Sequence, residues 1–170
     1  LLAKYLQNQF KNCSTVTVRT YHSFARTIIL EHSSYIWPKY PSQIFWDEVV
    51  ASRLLEIVDK EKILFDAVIV DEAQDIRENW WPAIELMAIA SSMFYIFYDP
   101  RQNIYGTEAK FPQLPTTLPL SENCRTTQNI NAAVCDYGVV DLQHSEFNPV
   151  GLSVEYVSYS SQEDLRSKLI

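Results

Sequence analysis

Phe65-Asp66-Ala67-Val68-Ile69-Val70-Asp71-Glu72-Ala73-Gln74-Asp75 is the stretch whose reading decides the fold. Its apolar run is short and rich in β-branched residues, which predicts a strand buried on both faces. The run stops at two adjacent carboxylates, Asp71 and Glu72. In an open α/β sheet, ligands bind outside the carboxyl ends of the strands. A strand that delivers two carboxylates to that edge has the groups that nucleotide hydrolysis needs. One carboxylate holds Mg²⁺, directly or through water, and the next orients or deprotonates the attacking water. A solvated acidic turn at a strand end is the plainer alternative.

Outward from this strand, apolar stretches alternate with helical patterns, which indicates a parallel α/β sheet. Helices are predicted over 1–11, from Tyr21 to about His32, over 43–60, from Glu78 to about Ala90 and over Thr126–Tyr137. Within 43–60, Phe45, Val49, Val50, Leu54, Ile57 and Val58 form one apolar stripe. Trp80 and Trp81 read as core residues of the helix that follows the acidic stretch. Strands are predicted at Val16–Val18, at Met93–Tyr98, from Leu118 to Ser121 and over Leu152–Tyr159. Ser160-x-x-Glu163 has a capping-box pattern that opens a last helix. Pro112, Pro115 and Pro119 mark the best domain boundary.

Composition sets limits on function. The chain has 170 residues, enough for one domain or one domain plus part of another. At 47% hydrophobic and 21% charged it has the make-up of a globular protein. A net charge of −7 argues against strong autonomous coating of a phosphate backbone, while leaving room for a local basic or aromatic groove. Cys13, Cys124 and Cys135 have no metal-ligand spacing and read as reduced thiols of a cytoplasmic protein. There is no membrane-length apolar run, so no membrane partner is expected. No G-x-x-x-x-G-K-[ST] phosphate loop occurs in the 170 residues. The chain begins in mid-pattern at Leu1-Leu2-Ala3 and reads as a fragment of a longer protein.

Three further segments have chemistry to offer. Thr20-Tyr21-His22-Ser23-Phe24 lies at a strand-to-helix junction, where backbone N–H groups and hydroxyls can hold a phosphate. Equally, Thr20 or Ser23 can cap the helix while His22 packs against it. Tyr98-Asp99-Pro100-Arg101-Gln102-Asn103-Ile104-Tyr105-Gly106 ends a second strand in an acid. Gln102 there can sense a γ-phosphate, and Tyr105 offers a face for a base. A type I turn at Asp99-Pro100 with Tyr105 in the core is the alternative. Within Ser121-Glu122-Asn123-Cys124-Arg125-Thr126-Thr127, Arg125 can reach a transferring phosphoryl group across a cleft or pair with Glu122.

Taken in order, the four segments resemble the UvrD/Rep/PcrA-like family of superfamily 1 DNA helicases. Thr20–Phe24 is similar to the family's T-[FY]-H-S-[FL] DNA-contact motif, and Val70–Asp75 to its Walker B motif, V-D-E-[AF]-Q-D. Asp99–Gly106 is similar to the third motif, G-D-x-x-Q-x-I-Y-x, and Leu120–Thr127 to the fourth, L-x-x-N-[YC]-R-[ST]. The resemblance spans about residues 1–137 and implies an incomplete RecA-like P-loop NTPase sheet with flanking helices over 1–115. Residues 116–170 would begin a second RecA-like domain.

The implied activity is ATP hydrolysis coupled to movement on single-stranded or partly duplex DNA, with ATP and Mg²⁺ as cofactors. Asp71 would bind Mg²⁺, and Glu72 would be the catalytic base. Gln102 would couple the γ-phosphate to the DNA site, and Arg125 would contact that phosphate from the second domain. Thr20, His22, Ser23 and Tyr105 would touch DNA. Departures from the family pattern are Tyr98 in place of Gly, Thr107-Glu108-Ala109-Lys110 in place of aromatic-Arg-Gly, and Cys124 in place of the commoner Tyr. Without a phosphate loop these residues alone are expected to be inactive. A helicase-like regulatory module that has lost turnover is the alternative.

Overall fold

A computed structural model describes residues 2–102, 110–137 and 143–168. The chain is mixed α/β and divides into two compact units, Leu1–Gln113 and Leu114–Ile170. The division falls within the Pro-rich stretch.

The first unit is assembled from α1 (Leu2–Gln9), α2 (Tyr21–His32), α3 (Ala51–Glu61), β1 (Phe65–Val70), α4 (Trp81–Leu86) and β2 (Ala88–Ile96). Its core is a set of four-residue spacings, which place side chains on one helix face. Ala25 and Ile29 of α2 meet Val50, Leu54 and Val58, with Trp81, Ala83, Ile84 and Met87 completing the cluster. Thr20 caps α2, its Oγ1 accepting from Ser23 N at 3.3 Å. The chain leaves α3 through Lys62 in the left-handed region (φ 51°), whose N–H returns to Val58 O. That closure satisfies an orphan carbonyl at the helix end and turns the chain into β1.

β1 and β2 pair in parallel, with Val68↔Phe94, Ile69↔Tyr95 and Val70↔Ile96 in register. The register jumps between Phe65↔Ala88 and Ala67↔Met93. This irregularity puts Phe65 on the same face as Val68 and Val70, three and five residues on, and all three pack on the core with Phe94 and Ile96. The opposite face is open: Ile69 is 66% exposed and Tyr95 51%. The expectation of a strand buried on both faces is therefore corrected. The described sheet has two strands, and α2, α3 and α4 cover one side of it.

Other sequence expectations shift as well. Val16–Val18 is irregular. The helix predicted over 43–60 is a π-helical segment, Phe45–Val50, running into α3. The wider turn rotates Val49 out of the apolar stripe to 36% exposure. The helix predicted to reach Ala90 ends at Leu86, because the chain is drawn into β2, where Phe65 N donates to Met87 O at 2.8 Å. Trp80 and Trp81 are buried as expected, at 4% exposure each.

The second unit contains β3 (Glu122–Asn123), α5 (Gln128–Asp136), β4 (Gln143–His144) and α6 (Gln162–Lys168), with β3 and β4 parallel. Leu152–Tyr159 has no strand, since no neighbour among the described residues pairs with it. The capping pattern of α6 sits one residue later than read from sequence. Ser161 Oγ accepts from Asp164 N at 3.1 Å, and Asp164 Oδ2 accepts from Ser160 N at 2.9 Å. Gly151 lies at φ 78°, and a Cβ there would stand 2.5 Å from Thr127 Cβ, the cap of α5. Among the described residues, no helix is long and apolar enough to cross a membrane.

Leu54 is fully buried and Ile36 is 89% exposed, so the two sites separate packing from composition. Leu54→Ala is expected to destabilise the chain by about 2–5 kcal/mol and Ile36→Ala by less than about 0.5 kcal/mol, read by urea denaturation. Equal effects would contradict the assignment of the core.

Candidate functional site

β1 ends at Val70, and the parallel pairing continues beyond it. Phe97 N donates to Val70 O at 2.8 Å, and Ala73 N donates to Phe97 O at 3.0 Å. Asp71 and Glu72 therefore stand at the carboxyl edge of the sheet, beside the residues that follow β2. Both are exposed, whereas Ala73 and Gln74 immediately after them are buried. Glu72 adopts a left-handed backbone (φ 50°, ψ 46°). For a side chain with a Cβ, that costs on the order of 1 kcal/mol and concentrates at functional turns. Asp75 N returns to Glu72 O at 2.9 Å and closes the turn as a 3₁₀ segment, Ala73–Asp75.

Gln74 is the hub of this edge. Its Oε1 accepts from the backbone N–H of Asp99 at 3.1 Å, and its Nε2 donates to Glu72 Oε2 at 2.6 Å. The orientation of the amide follows from chemistry: a backbone N–H can only donate, so the group it meets is the carbonyl oxygen. Asp99 Oδ2 in turn accepts from Gln102 Nε2 at 2.8 Å, and Gln102 N donates to Asp99 O at 3.1 Å. A continuous polar chain thus runs Glu72–Gln74–Asp99–Gln102.

Of the residues singled out from sequence, Asp71, Glu72 and Gln102 are gathered here. Gln74 and Asp99 were not selected, although the Gln of D-E-A-Q-D is the signal that would have found the first. Tyr105 lies outside the described residues. Among those described, no three His, Cys, Asp or Glu side chains form a group able to enclose a metal. Asp71 and Glu72 instead offer hard oxygen donors at an open edge, the donor type and number that suit Mg²⁺ shared with phosphates.

Thr20, His22 and Ser23 open α2. Ser23 is exposed, and Thr20 is occupied as the helix cap. The His22 ring lies edge-on to Trp46 (4.2 Å between centroids) and to Trp80 (5.1 Å), while Tyr21 stacks on Trp80 at 4.1 Å. Asp47, in the π-helical segment beside Trp46, pairs with Arg77 Nε at 3.2 Å and accepts from Gln43 Nε2 at 2.9 Å. Burial against the rings lowers the His22 pKa, and the Asp47 charge opposes that shift. Burial raises the Tyr21 pKa, again with Asp47 contributing. Trp46 and Trp80, one before and one after the acidic motif, thereby hold His22 in place.

In the second unit, Asn123 organises the approach to α5. Its Oδ1 accepts from Arg125 N (3.0 Å) and Thr126 N (3.2 Å), and its Nδ2 donates to Asn131 Oδ1 at 2.9 Å. Asn148 closes the loop by donating to Asn123 O and Thr126 O. The backbone of Arg125 is fixed, its side chain is exposed, and it forms no ion pair with Glu122 among the described residues.

Compared with models of known protein families and with curated proteins, the chain matches none.

The direction of the His22 shift is directly testable. Its NMR titration midpoint is expected below 6.5, the value for an unperturbed imidazole, and lower still in Asp47→Asn, which removes the charge that favours the imidazolium. A midpoint at or above 6.5 would contradict the aromatic packing.

Proposed function

We propose that this chain belongs to the motor core of an ATP-dependent DNA helicase or translocase of the UvrD/Rep/PcrA-like type, with a RecA-like arrangement in each unit. The observation that carries the reading is the Glu72–Gln74–Asp99–Gln102 chain. Two motifs about thirty residues apart in sequence, read independently as acid pair and γ-phosphate sensor, share one hydrogen-bonded strand edge.

On this reading Asp71 holds Mg²⁺, which when bound neutralises charge on the phosphates. Glu72 receives the proton of the attacking water. Its Oε2 is engaged by Gln74, so the other carboxylate oxygen is the one that accepts. Gln102, tied to Asp99 through both its amide and its backbone, reports the γ-phosphate to the chain behind it. Arg125, exposed on a fixed backbone, has the phosphate-contact role that the family resemblance assigns to it. Thr20, His22 and Ser23, with Tyr105, contact single-stranded DNA. The 170 residues contain no phosphate loop, so on this reading turnover requires one supplied from outside them.

A second reading, a helicase-like binding module without turnover, is favoured by the packing of His22 against Trp46 and Trp80, which gives that residue a structural task.

Phosphate release from Mg-ATP, measured on the full-length protein with and without single-stranded DNA, separates the two. The motor reading predicts DNA-stimulated turnover that falls by about a hundredfold or more in Glu72→Gln. Absent turnover, or turnover indifferent to both DNA and Glu72, would overturn it in favour of the binding module.

A further inference from the structure

We infer that Gln74 is a positioning residue that couples the proposed base, Glu72, to the proposed phosphate sensor, Gln102. This inference rests on the ATPase reading and adds to it a residue and a route. Gln74 is 5% exposed, and both ends of its amide are engaged. A buried amide satisfied at both ends has one orientation, because turning it would set Nε2 against a backbone N–H and Oε1 against a carboxylate. Each partner is functionally placed. Nε2 fixes one oxygen of Glu72, whose backbone already sits in the sparsely populated left-handed region. Oε1 fixes the backbone of Asp99, whose carboxylate accepts from Gln102 Nε2.

The consequence is mechanical. A movement of Gln102 toward or away from a phosphate pulls on Asp99. Asp99 N–H is held by Gln74, and Gln74 moves with the Glu72 carboxylate. Gln74 touches neither water nor nucleotide in this role; it sets where the base points. A buried amide engaged at both ends has few alternative arrangements, so displacement of one of its partners is transmitted to the other.

The test uses the full-length protein at saturating single-stranded DNA. Gln74→Met keeps length and bulk and removes both hydrogen bonds. Its kcat is expected to fall about tenfold or more, with KM for ATP held within about twofold, since aim is lost rather than binding. With Gln102→Ala in the same chain, the combined loss is expected to be smaller than the product of the single losses.

Gln74→Glu supplies a signature that a purely structural role would not give. Its protonated form donates to Glu72 and accepts from Asp99 N–H as the amide does, and its ionised form sets two carboxylates against each other. Relative to wild type, its turnover is expected to recover as pH is lowered from about 8 to about 6. This variant also serves if the methionine variant does not fold.

Multiplicative losses, a change in KM instead of kcat, or a flat pH ratio for Gln74→Glu would overturn the coupling while leaving the ATPase reading intact. A wild-type protein without Glu72-dependent turnover would overturn both.

Discussion

The continuation of β1–β2 pairing past the ends of the two strands is the constraint on which the candidate site depends. Phe97 N–H reaches back to Val70, and Phe97 C=O accepts from Ala73. These two bonds decide that the residues after each strand share one edge. Everything that gives the edge chemical interest lies within a few residues of them: the exposed carboxylates of Asp71 and Glu72, the left-handed turn at Glu72, and the buried amide of Gln74. Without that pairing, Asp71-Glu72 and Asp99–Gln102 would be two unrelated acidic turns. With it, a single buried side chain spans both.

The same sheet is asymmetric. Its core face is sealed by Val68, Val70, Phe94 and Ile96 against α2, α3 and α4, and its other face exposes Ile69, Met93 and Tyr95. The helical side also contains the aromatic group of Tyr21, His22, Trp46 and Trp80. Aromatic edges and faces packed at these separations fix ring orientation beyond what apolar burial gives. The start of α2 is therefore pinned to the segment that immediately follows the acidic motif. The second unit solves its local problem differently, by interlocking amides: Asn123, Asn131 and Asn148 tie together the approach to α5, and Asn129 Nδ2 donates to Gly151 O.

Much of this was legible in the sequence because the signals were local. The β-branched run from Val68 to Val70 and the carboxylates after it specify both the strand and its edge. Thr20 caps its helix, one of the two residues read as able to do so, while Thr127, read as inside a helix from Thr126, is that helix's cap. The illegible parts are those that tertiary context decides. The helical pattern over 43–60 carries no local mark of a π-helical turn, so the outward rotation of Val49 could not be read. The register jump after Phe65 and the Phe65–Met87 bond that ends α4 at Leu86 are properties of the pair of strands. Leu152–Tyr159 alternates as a strand does but finds no partner among the described residues, and alternation alone does not supply one. At the site, Asp71, Glu72 and Gln102 were visible as chemistry-bearing types. Gln74 was legible only as the Gln of D-E-A-Q-D; its place as a bridge depends on burial and on two partners that tertiary structure supplies.

A crystal structure of the full-length protein with Mg²⁺ and a non-hydrolysable ATP analogue tests most directly whether the ends of β1 and β2 form a metal–nucleotide edge. The account predicts the metal in contact with Asp71 directly or through water, the terminal phosphate beside Glu72 and Gln102, and the Gln74 amide still bridging Glu72 and Asp99. A nucleotide bound away from this edge, or bound at it with Gln74 turned out of the chain, would contradict it.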